Sequence, residues 1–219
     1  MTSWTLPRSS SANSGPVGGC GPFAGVRRRS FMGVKAVMLD VPQALLDERR
    51  RTGADRWDEM WEGVLHMVPP PSGEHQRVGT NLLLALAPLA RSRGLEPFYE
   101  TGLFRPGVDD DYRVPDQVYA RPGQVSRRGV EGGAPLVVEI RSPGDETYEK
   151  LPWYASVGVD QVLVVHLEPR AAELFACREG AVVPAEAGPE GLVVDSLGVT
   201  VAAVEGRLLV AWEGGSAEI

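Results

Sequence analysis

Residues 135–154 decide the fold and have the sequence Pro-Leu-Val-Val-Glu-Ile-Arg-Ser-Pro-Gly-Asp-Glu-Thr-Tyr-Glu-Lys-Leu-Pro-Trp-Tyr. Their apolar run at 136–138 is too short for a helix and is bounded by Pro on one side and Ser-Pro-Gly on the other, which is typical of a buried strand. The Asp after Gly occupies a helix N-cap position, and Gly158 follows as a stop signal. The stretch therefore predicts a strand over Leu136–Arg141 and a helix over 146–156.

The predicted strand carries a carboxylate directly after its apolar run. Side chains alternate across a strand, so Glu139 and Arg141 share one face, and Val138 and Ile140 share the other. A buried carboxylate is costly unless it is paired, protonated or bound to a cation. A strand that carries a carboxylate, followed by a helix that carries Lys150, is a candidate phosphodiester site.

The segments around this stretch alternate between helical and extended patterns. The other predicted helices cover residues 43–51 and 74–91, and Pro88 is expected to kink or shorten the second. The remaining predicted strands cover residues 59–67, 95–104, 112–120, 161–167, 171–178, 182–183, 192–194 and 208–212. This order predicts an α/β fold in which a mixed sheet is flanked by helices, with extra C-terminal β-strands.

Length and cysteine content limit the class of protein. The chain has 219 residues, which suits one domain. Its two cysteines, Cys20 and Cys177, are far apart and form neither a disulfide framework nor a zinc-ligand spacing, so we expect a reducing, cytoplasmic location. No apolar run approaches the ~20 residues that a membrane-spanning helix needs.

The charge is distributed unevenly along the chain. Residues 1–39 carry a charge of +5 and the remainder a charge of −12, within a net charge of −7. We predict that residues 1–37 are a disordered basic leader and that residues 38–219 form a single domain. An over-extended start, with Met32 or Met38 as the first residue, stays open as an alternative. The acidic body argues against non-specific nucleic-acid binding, which depends on neutralising phosphates.

Two carboxylates on successive strands and one lysine form the candidate constellation. Asp116 and Glu139 could hold a divalent cation, with the backbone carbonyl of Ile140 as a third ligand. The cation would polarise a phosphate and lower the pKa of a bound water. Lys150 would neutralise charge on the phosphorane and help to orient that water.

Six separated blocks occur in the order found in one known family. They are Trp61-Glu62-Gly63, Ser72-Gly73-Glu74-His75, Val-Pro-Asp at 114–116, Leu-Val-Val-Glu-Ile at 136–140, Ser-Pro-Gly-Asp-Glu at 142–146, and Lys150 to Tyr154. From about residue 57 to 168 the chain resembles the putative restriction endonuclease family of the PD-(D/E)xK nuclease superfamily. The resemblance implies a restriction-endonuclease-like core, a Mg²⁺ or Mn²⁺ site and DNA as the substrate of a metal-dependent endonuclease.

The chain departs from the superfamily pattern at two positions. The usual lysine lies two residues after the second acid, where this chain has Arg141, and the family pattern places its lysine on the following helix, at Lys150. Arg141 stays protonated and could only stabilise charge. His166 stands where many members of the family carry Asp.

Glu62 and His75 are further candidates, and every candidate also has a structural interpretation. Glu62 could be an additional metal or water ligand, or a solvated residue at a strand edge. His75 could contact phosphate or water, or be a polar residue at a helix terminus. Asp116 alone would be a turn carboxylate, Glu139 could pair with Arg141, and Lys150 could pair with Glu146 on the helix surface.

A second function stays open beside cleavage. The chain could be a catalytically silent nuclease-like module that binds nucleic acid or a protein partner, which the acidic body favours. The presence of all three expected side chains favours the endonuclease. A homodimer is compatible with either interpretation.

Overall fold

Sixteen strands, three α-helices and one short 3-10 helix make up residues 36–219, the part of the chain that the computed structural model describes. The strands are β1 (Ala36–Met38), β2 (Glu59–Trp61), β3 (Val64–Met67), β4 (Glu96–Tyr99), β5 (Leu103–Phe104), β6 (Tyr112–Arg113), β7 (Gln117–Ala120), β8 (Val130–Glu131), β9 (Leu136–Arg141), β10 (Gln161–His166), β11 (Ala171–Arg178), β12 (Ala181–Pro184), β13 (Leu192–Val194), β14 (Val199–Val204), β15 (Arg207–Trp212) and β16 (Gly215–Glu218). The helices are α1 (Gln43–Thr52), α2 (Gly73–Ser92), α3 (Thr147–Val157) and the 3-10 helix Pro122–Gln124.

A central six-stranded sheet has the order β12-β11-β10-β9-β7-β4. β9 and β10 are parallel, and every other neighbouring pair in this sheet is antiparallel. Parallel neighbours need a crossover connection, and α3 supplies it between β9 and β10. This mixed sheet with its helices confirms the fold class expected from the sequence.

The two faces of the central sheet belong to two different clusters of buried side chains. Leu136, Val138 and Ile140 of β9 pack with Leu82 and other apolar residues of α2. Val137 packs on the opposite face, in the cluster that contains α3 residues. The period-two alternation therefore places Glu139 on the α3 face, and the predicted separation of Glu139 from Val138 and Ile140 is confirmed.

Two further sheets extend these two clusters. The sheet β13-β14-β15-β16 contributes apolar side chains such as Val201 and Leu208 to the α2 cluster. The sheet β1-β3-β2-β6-β5-β8 contributes Leu103 and Val130 to the α3 cluster. The C-terminal strands are thus part of one core with α2, and β14 and β16 had not been predicted.

Three segments predicted as single strands are each divided in two. Residues 59–67 form β2 and β3, because Glu62 (φ 51°) and Gly63 (φ 86°) make a two-residue hairpin loop with both φ values positive. Residues 95–104 bend at Glu100 (φ 46°), so β4 and β5 lie in different sheets. Residues 112–120 break around Pro115 between β6 and β7, because a proline has no N–H group to donate to the ladder.

Other boundaries differ less from the predictions. Helix α2 continues past Pro88 to Ser92, so the proline does not end the helix. Gly158 ends α3 in the left-handed conformation (φ 90°), as the sequence indicates. Ala36 and Val37 belong to β1, although they fall in the predicted leader, and residues 1–35 lie outside the described residues.

Candidate functional site

Glu139 and Lys150 meet in the buried layer between β9 and α3. Helix α3 returns the chain to the sheet, and Lys150 lies near its start, on the side that faces Glu139. The Lys150 Nζ atom lies 3.2 Å from Glu139 Oε1. Only 4% of Glu139 is exposed, so the ammonium is the main charge that compensates its carboxylate.

A third buried carboxylate, Glu59, completes this group. Its Oε1 atom lies 2.8 Å from Lys150 Nζ and also accepts the backbone N–H of Val114 at 2.9 Å. Its Oε2 atom accepts the indole N–H of Trp61 at 2.8 Å. Glu59 is 1% exposed, so it depends on these three donors. Lys150 is therefore held between two carboxylates from different sheets.

Glu59 was not predicted from the sequence as a site residue, whereas Glu62 was predicted as a candidate metal or water ligand. The side chain of Glu62 is exposed in the β2–β3 loop, and its backbone N–H donates to Asp111 Oδ1 at 3.3 Å. Among residues 36–219, Glu59 and not Glu62 makes the ion pair with Lys150 and the hydrogen bonds with Trp61 and Val114. Alternation along β2 is the signal that could have found Glu59, because it places Glu59 and Trp61 on one face.

Tyr154 is the second residue that sequence analysis missed at this position. Its hydroxyl donates to Glu139 Oε1, and the residue is fully buried. Tyr154 follows Lys150 by four residues in α3, so both side chains leave the helix on the same face. Burial and the neighbouring carboxylates of Glu139 and Glu59 raise the pKa of Tyr154 well above its ordinary value, which keeps it a hydrogen-bond donor.

Asp116 lies where β7 begins, beside the end of β9. Its Oδ2 atom accepts the backbone N–H of Ile140 at 2.6 Å, replacing the bond that a longer β7 would make. Its Oδ1 atom lies 2.7 Å from His75 Nε2, and His75 Nδ1 lies 3.3 Å from Ser142 Oγ. Asp116 is thus tied to both β9 and α2.

His75 owes its position to the start of α2. The N-cap residue Ser72 accepts the backbone N–H of His75 at 3.2 Å, which fixes the histidine in the first turn. Burial lowers the pKa of His75, but the hydrogen bond and charge of Asp116 outweigh it, so the pKa is raised. His75 therefore contacts a candidate metal ligand and reaches the end of β9 through Ser142.

The acidic groups of the site perturb one another. Burial raises the pKa of Glu139 to about 7, Asp116 and Glu59 act in the same direction, and Lys150 opposes them. Burial lowers the pKa of Lys150, but the carboxylates of Glu139 and Glu59 outweigh this, so its pKa is raised. Three carboxylates that act on one lysine leave an excess of negative charge, which is the environment that a cation site requires.

Arg141 does not join this group. Its Nε atom lies 3.9 Å from Asp145 Oδ1, and its Cζ atom lies 5.0 Å from the centre of the Tyr148 ring. The arginine on the face of Glu139 is therefore paired with the turn after β9, and the ion pair expected as an alternative between Glu139 and Arg141 is replaced by the pair with Lys150. His166, the other departure from the family pattern, pairs with Glu173 at 2.5 Å.

The donor set suits a hard cation that keeps solvent ligands. Within residues 36–219 no group of three or more His, Cys, Asp or Glu side chains is arranged to hold a metal ion by itself. Mg²⁺ is usually bound by one or two carboxylates together with waters and substrate phosphate oxygens. Asp116 and Glu139 fit that pattern as oxygen donors, and the charge of Asp116 helps to raise the pKa of Glu139.

Comparison with known families gives the context for this geometry. The model of the family described as "Uma2: Putative restriction endonuclease" matches residues 48–205 of the chain. The chain belongs to the Uma2 family. The matched residues include all four charged side chains of the site, from Glu59 to Lys150, and the resemblance expected from the sequence is confirmed. No curated protein matches the chain.

Two solved structures are similar to parts of the chain at low sequence identity. A crystal structure of a protein described as a putative nuclease of DUF820 from Anabaena variabilis is 16% identical, with a TM-score of 0.50 over 62% of this chain and 79% of that one. A DrdV–DNA complex is also 16% identical, with a TM-score of 0.30 over 49% of this chain and 9% of that one. The first likeness supports the restriction-endonuclease-like fold assigned above.

The helices give one further result. Among residues 36–219 none of them combines the length and the hydropathy that crossing a membrane would require.

Proposed function

We propose that this member of the Uma2 family is a metal-dependent endonuclease that hydrolyses phosphodiester bonds in DNA. The observation that carries the proposal is the meeting of Asp116, Glu139 and Lys150 at the ends of β7 and β9 and the start of α3. These residues come from three separate elements, and charged groups with perturbed pKa values that meet in this way are typical of functional sites.

Asp116, Glu139 and the carbonyl of Ile140 would hold the cation. The N–H and C=O groups of one strand residue point to the same edge, and the N–H of Ile140 points to Asp116, so its carbonyl faces the same side. Bound there, Mg²⁺ or Mn²⁺ supplies Lewis-acid polarisation of the phosphate and a bound water of lowered pKa.

The chain's own residues then have distinct tasks. Glu139 must lose its proton to act as a ligand, and its pKa of about 7 means that it does so near neutral pH. Lys150 stabilises the negative charge that develops on the phosphate. Glu59 and Tyr154 hold Lys150 and Glu139 in place, because each makes a direct contact with its partner inside the buried layer.

Cleavage of supercoiled plasmid tests the proposal. The parent is incubated with Mg²⁺, Mn²⁺ or EDTA beside Asp116→Ala, Asp116→Asn and a control, Asp110→Asn, which changes an exposed loop carboxylate. We expect nicked and linear DNA with either metal from the parent and from Asp110→Asn, and intact plasmid with EDTA or from both Asp116 variants. Equal cleavage by the parent and the Asp116 variants would contradict the assignment.

A silent nuclease-like module is the second candidate, and one observation favours it. Lys150 Nζ is already paired with Glu139 and Glu59. The whole chain has a net charge of −7, which does not favour binding to DNA phosphates. A parent protein that leaves plasmid intact with both metals, but changes its mobility in a gel, would support this candidate.

A further inference from the structure

A cavity of about 770 Å³ opens at the carboxyl ends of the parallel strands β9 and β10. Its lining includes residues 141–144 after β9, residues 166–168 after β10, and Glu74 of α2. Crevices at the carboxyl ends of parallel strands are common ligand sites in α/β proteins. The position of this cavity therefore makes it a candidate ligand site.

This cavity borders the candidate active site. Ser142 lines it, and the Ser142 hydroxyl contacts His75, whose other ring nitrogen contacts Asp116. Arg141 follows Glu139 by two residues on the same face, which corresponds to about 6.6 Å along a strand. A polymer held at Asp116 and Glu139 would pass Arg141 on its way into the cavity.

Arg141 has an unsatisfied donor. Its Nε–H group is buried and has no hydrogen-bond partner among residues 36–219. Asp145, the acid of its ion pair, lies 3.9 Å away and is already used by the backbone N–H groups of Ser142 and Thr147. Buried donors are normally satisfied, so this N–H group is suited to an acceptor that the described residues do not supply.

The other charged side chains of the cavity are already compensated or exposed. Glu74 is paired with Arg77 and with Arg170, the latter at 2.8 Å. His166 is paired with Glu173. Glu168 is exposed to solvent. Among these lining residues, Arg141 is therefore the cation that has a donor without a hydrogen-bond partner in residues 36–219.

We propose that the cavity is a subsite for the DNA backbone, in which Arg141 binds a phosphate that neighbours the scissile one. This rests on the proposed function, because the scissile phosphate lies at Asp116 and Glu139. A guanidinium presents a fork of donors that matches two phosphate oxygens and keeps its proton at any relevant pH. Arg141 is thus a binding residue, whereas Lys150 acts at the reacting phosphate.

The salt dependence of DNA binding tests the subsite without cleavage. A short fluorescent duplex is titrated in EDTA between about 50 and 200 mM NaCl, using the parent, Arg141→Ala and Arg141→Lys. Arg121→Ala is the matched control, because Arg121 is 57% exposed and follows β7 at the end opposite Asp116.

Arg141→Ala should weaken binding about tenfold and lower the slope of log K against log[salt] by about 1, the effect of losing one phosphate contact. Arg141→Lys should keep the slope, because it keeps the charge, and Arg121→Ala should change neither quantity. Equal slopes for the parent and Arg141→Ala would overturn the subsite, as would a parent that binds no duplex. If Arg141→Ala does not fold, Arg141→Gln removes the charge with less loss of side chain and gives the same comparison.

Cleavage kinetics separate this proposal from the endonuclease proposal. With Mn²⁺, Arg141→Ala should raise KM about tenfold and affect kcat less, as expected for a contact made equally in ground and transition states. If the parent does not cut but its binding slope depends on Arg141, the endonuclease fails and the subsite stands. If the parent cuts, and Arg141→Ala has unchanged KM and slope, the subsite fails and the endonuclease stands.

Discussion

The two faces of the central sheet are built from different chemistry. The α2 face joins α2, the sheet and strands β13–β15 through apolar side chains. The α3 face has its own apolar cluster but also buries Glu59, Glu139 and Asp111. Burying charge costs free energy unless each group is paired and hydrogen-bonded. The α2 face therefore chiefly stabilises the fold, whereas the α3 face also carries the buried charges of the candidate site.

The charges on the α3 face are satisfied locally rather than by solvent. Asp111 accepts hydrogen bonds from the Trp153 indole at 2.8 Å and from Arg113 at 3.1 Å. The Arg113 guanidinium lies 4.4 Å from the centre of Trp153 and 4.3 Å from that of Trp61. Burial raises the pKa of Asp111, but these donors and Arg105 outweigh it and hold the pKa below its ordinary value. On this face, the buried carboxylates of Asp111, Glu59 and Glu139 are each bound by cations or hydrogen-bond donors of the same face.

Removal of Lys150 should have the largest effect, because Glu59 and Glu139 share this cation. Lys150→Ala leaves Glu59 and Glu139 facing each other without their cation, and breaking a buried pair in this way costs about 3–5 kcal/mol. Cleavage should fall by about 100-fold or more, as happens when a positioned electrostatic group is removed. Urea unfolding and plasmid cleavage measure the two effects.

The control for Lys150 is the arginine in the usual superfamily position. Arg141→Ala should keep most of its kcat, since Arg141 pairs with Asp145 and not with Glu139. An inactive Arg141→Ala beside an active Lys150→Ala would reverse the roles of the two cations.

A cavity on the α2 face should destabilise the protein without touching the site. Leu82 is fully buried, so Leu82→Ala should lower the free energy of unfolding by about 2–5 kcal/mol. Leu84→Ala is the matched control on the same helix, because Leu84 is 69% exposed. The melting-temperature shift caused by Mn²⁺ should be equal in both variants. A smaller shift in Leu82→Ala alone would show that the two faces are coupled.

Metal binding should stabilise the α3 face alone. At about 100 times its Kd, Mn²⁺ should stabilise the parent by about 2.7 kcal/mol, because it binds the folded state. Calorimetry should show this shift in the parent and not in the Asp116→Ala/Glu139→Ala double variant. Lys150→Ala should keep the shift, since Lys150 competes for Glu139 and is not a ligand. An equal shift in the double variant would place the metal elsewhere.

The smallest expected effect is a pH dependence from Glu139. Its pKa in the folded protein is raised to about 7, so it contributes stability that is fully present below its ordinary pKa and is lost as pH rises through 7. Between pH 6 and 8 in EDTA, the parent should lose about 1 kcal/mol from this group. Urea unfolding should give a flatter profile for Glu139→Gln. Identical profiles would mean that Glu139 is ionised throughout this range.

The regular elements of the fold could be predicted because their signals are local. Strand β9 follows from a short apolar run, and the end of helix α3 follows from Gly158. The predicted N-cap, Asp145, was wrong by one residue, because Glu146 is the N-cap of α3. The division of residues 95–104 and 112–120 between two sheets could not be predicted, because the bend at Glu100 is stabilised by the rest of the fold: its backbone N–H bonds to the Asp116 carbonyl at 3.0 Å, and its carboxylate accepts from Gln76 of α2.

The candidate site was predictable to the extent that its residues stand out along the chain. Glu139 directly follows the apolar run of β9. Asp116 and Lys150 lie in short blocks of sequence that resemble the family pattern. Glu59 lies beside Asp58 and near Glu62. Alternation along β2 separates it from Asp58, but its contacts with Val114 and Lys150 come from distant segments of the chain. Tyr154 looks like one more apolar residue of α3 until its hydroxyl is placed beside Glu139.

The hydrogen bond from Ile140 to Asp116 constrains how position 116 could change during evolution. An alanine at position 116 would remove a carboxylate and also leave the Ile140 N–H without its acceptor, whereas an asparagine would remove the charge and keep an acceptor oxygen. A lineage that drifted towards a non-cutting protein would therefore pass more easily through asparagine. Relatives with asparagine here would be candidates for folded proteins that lack the proposed cleavage activity.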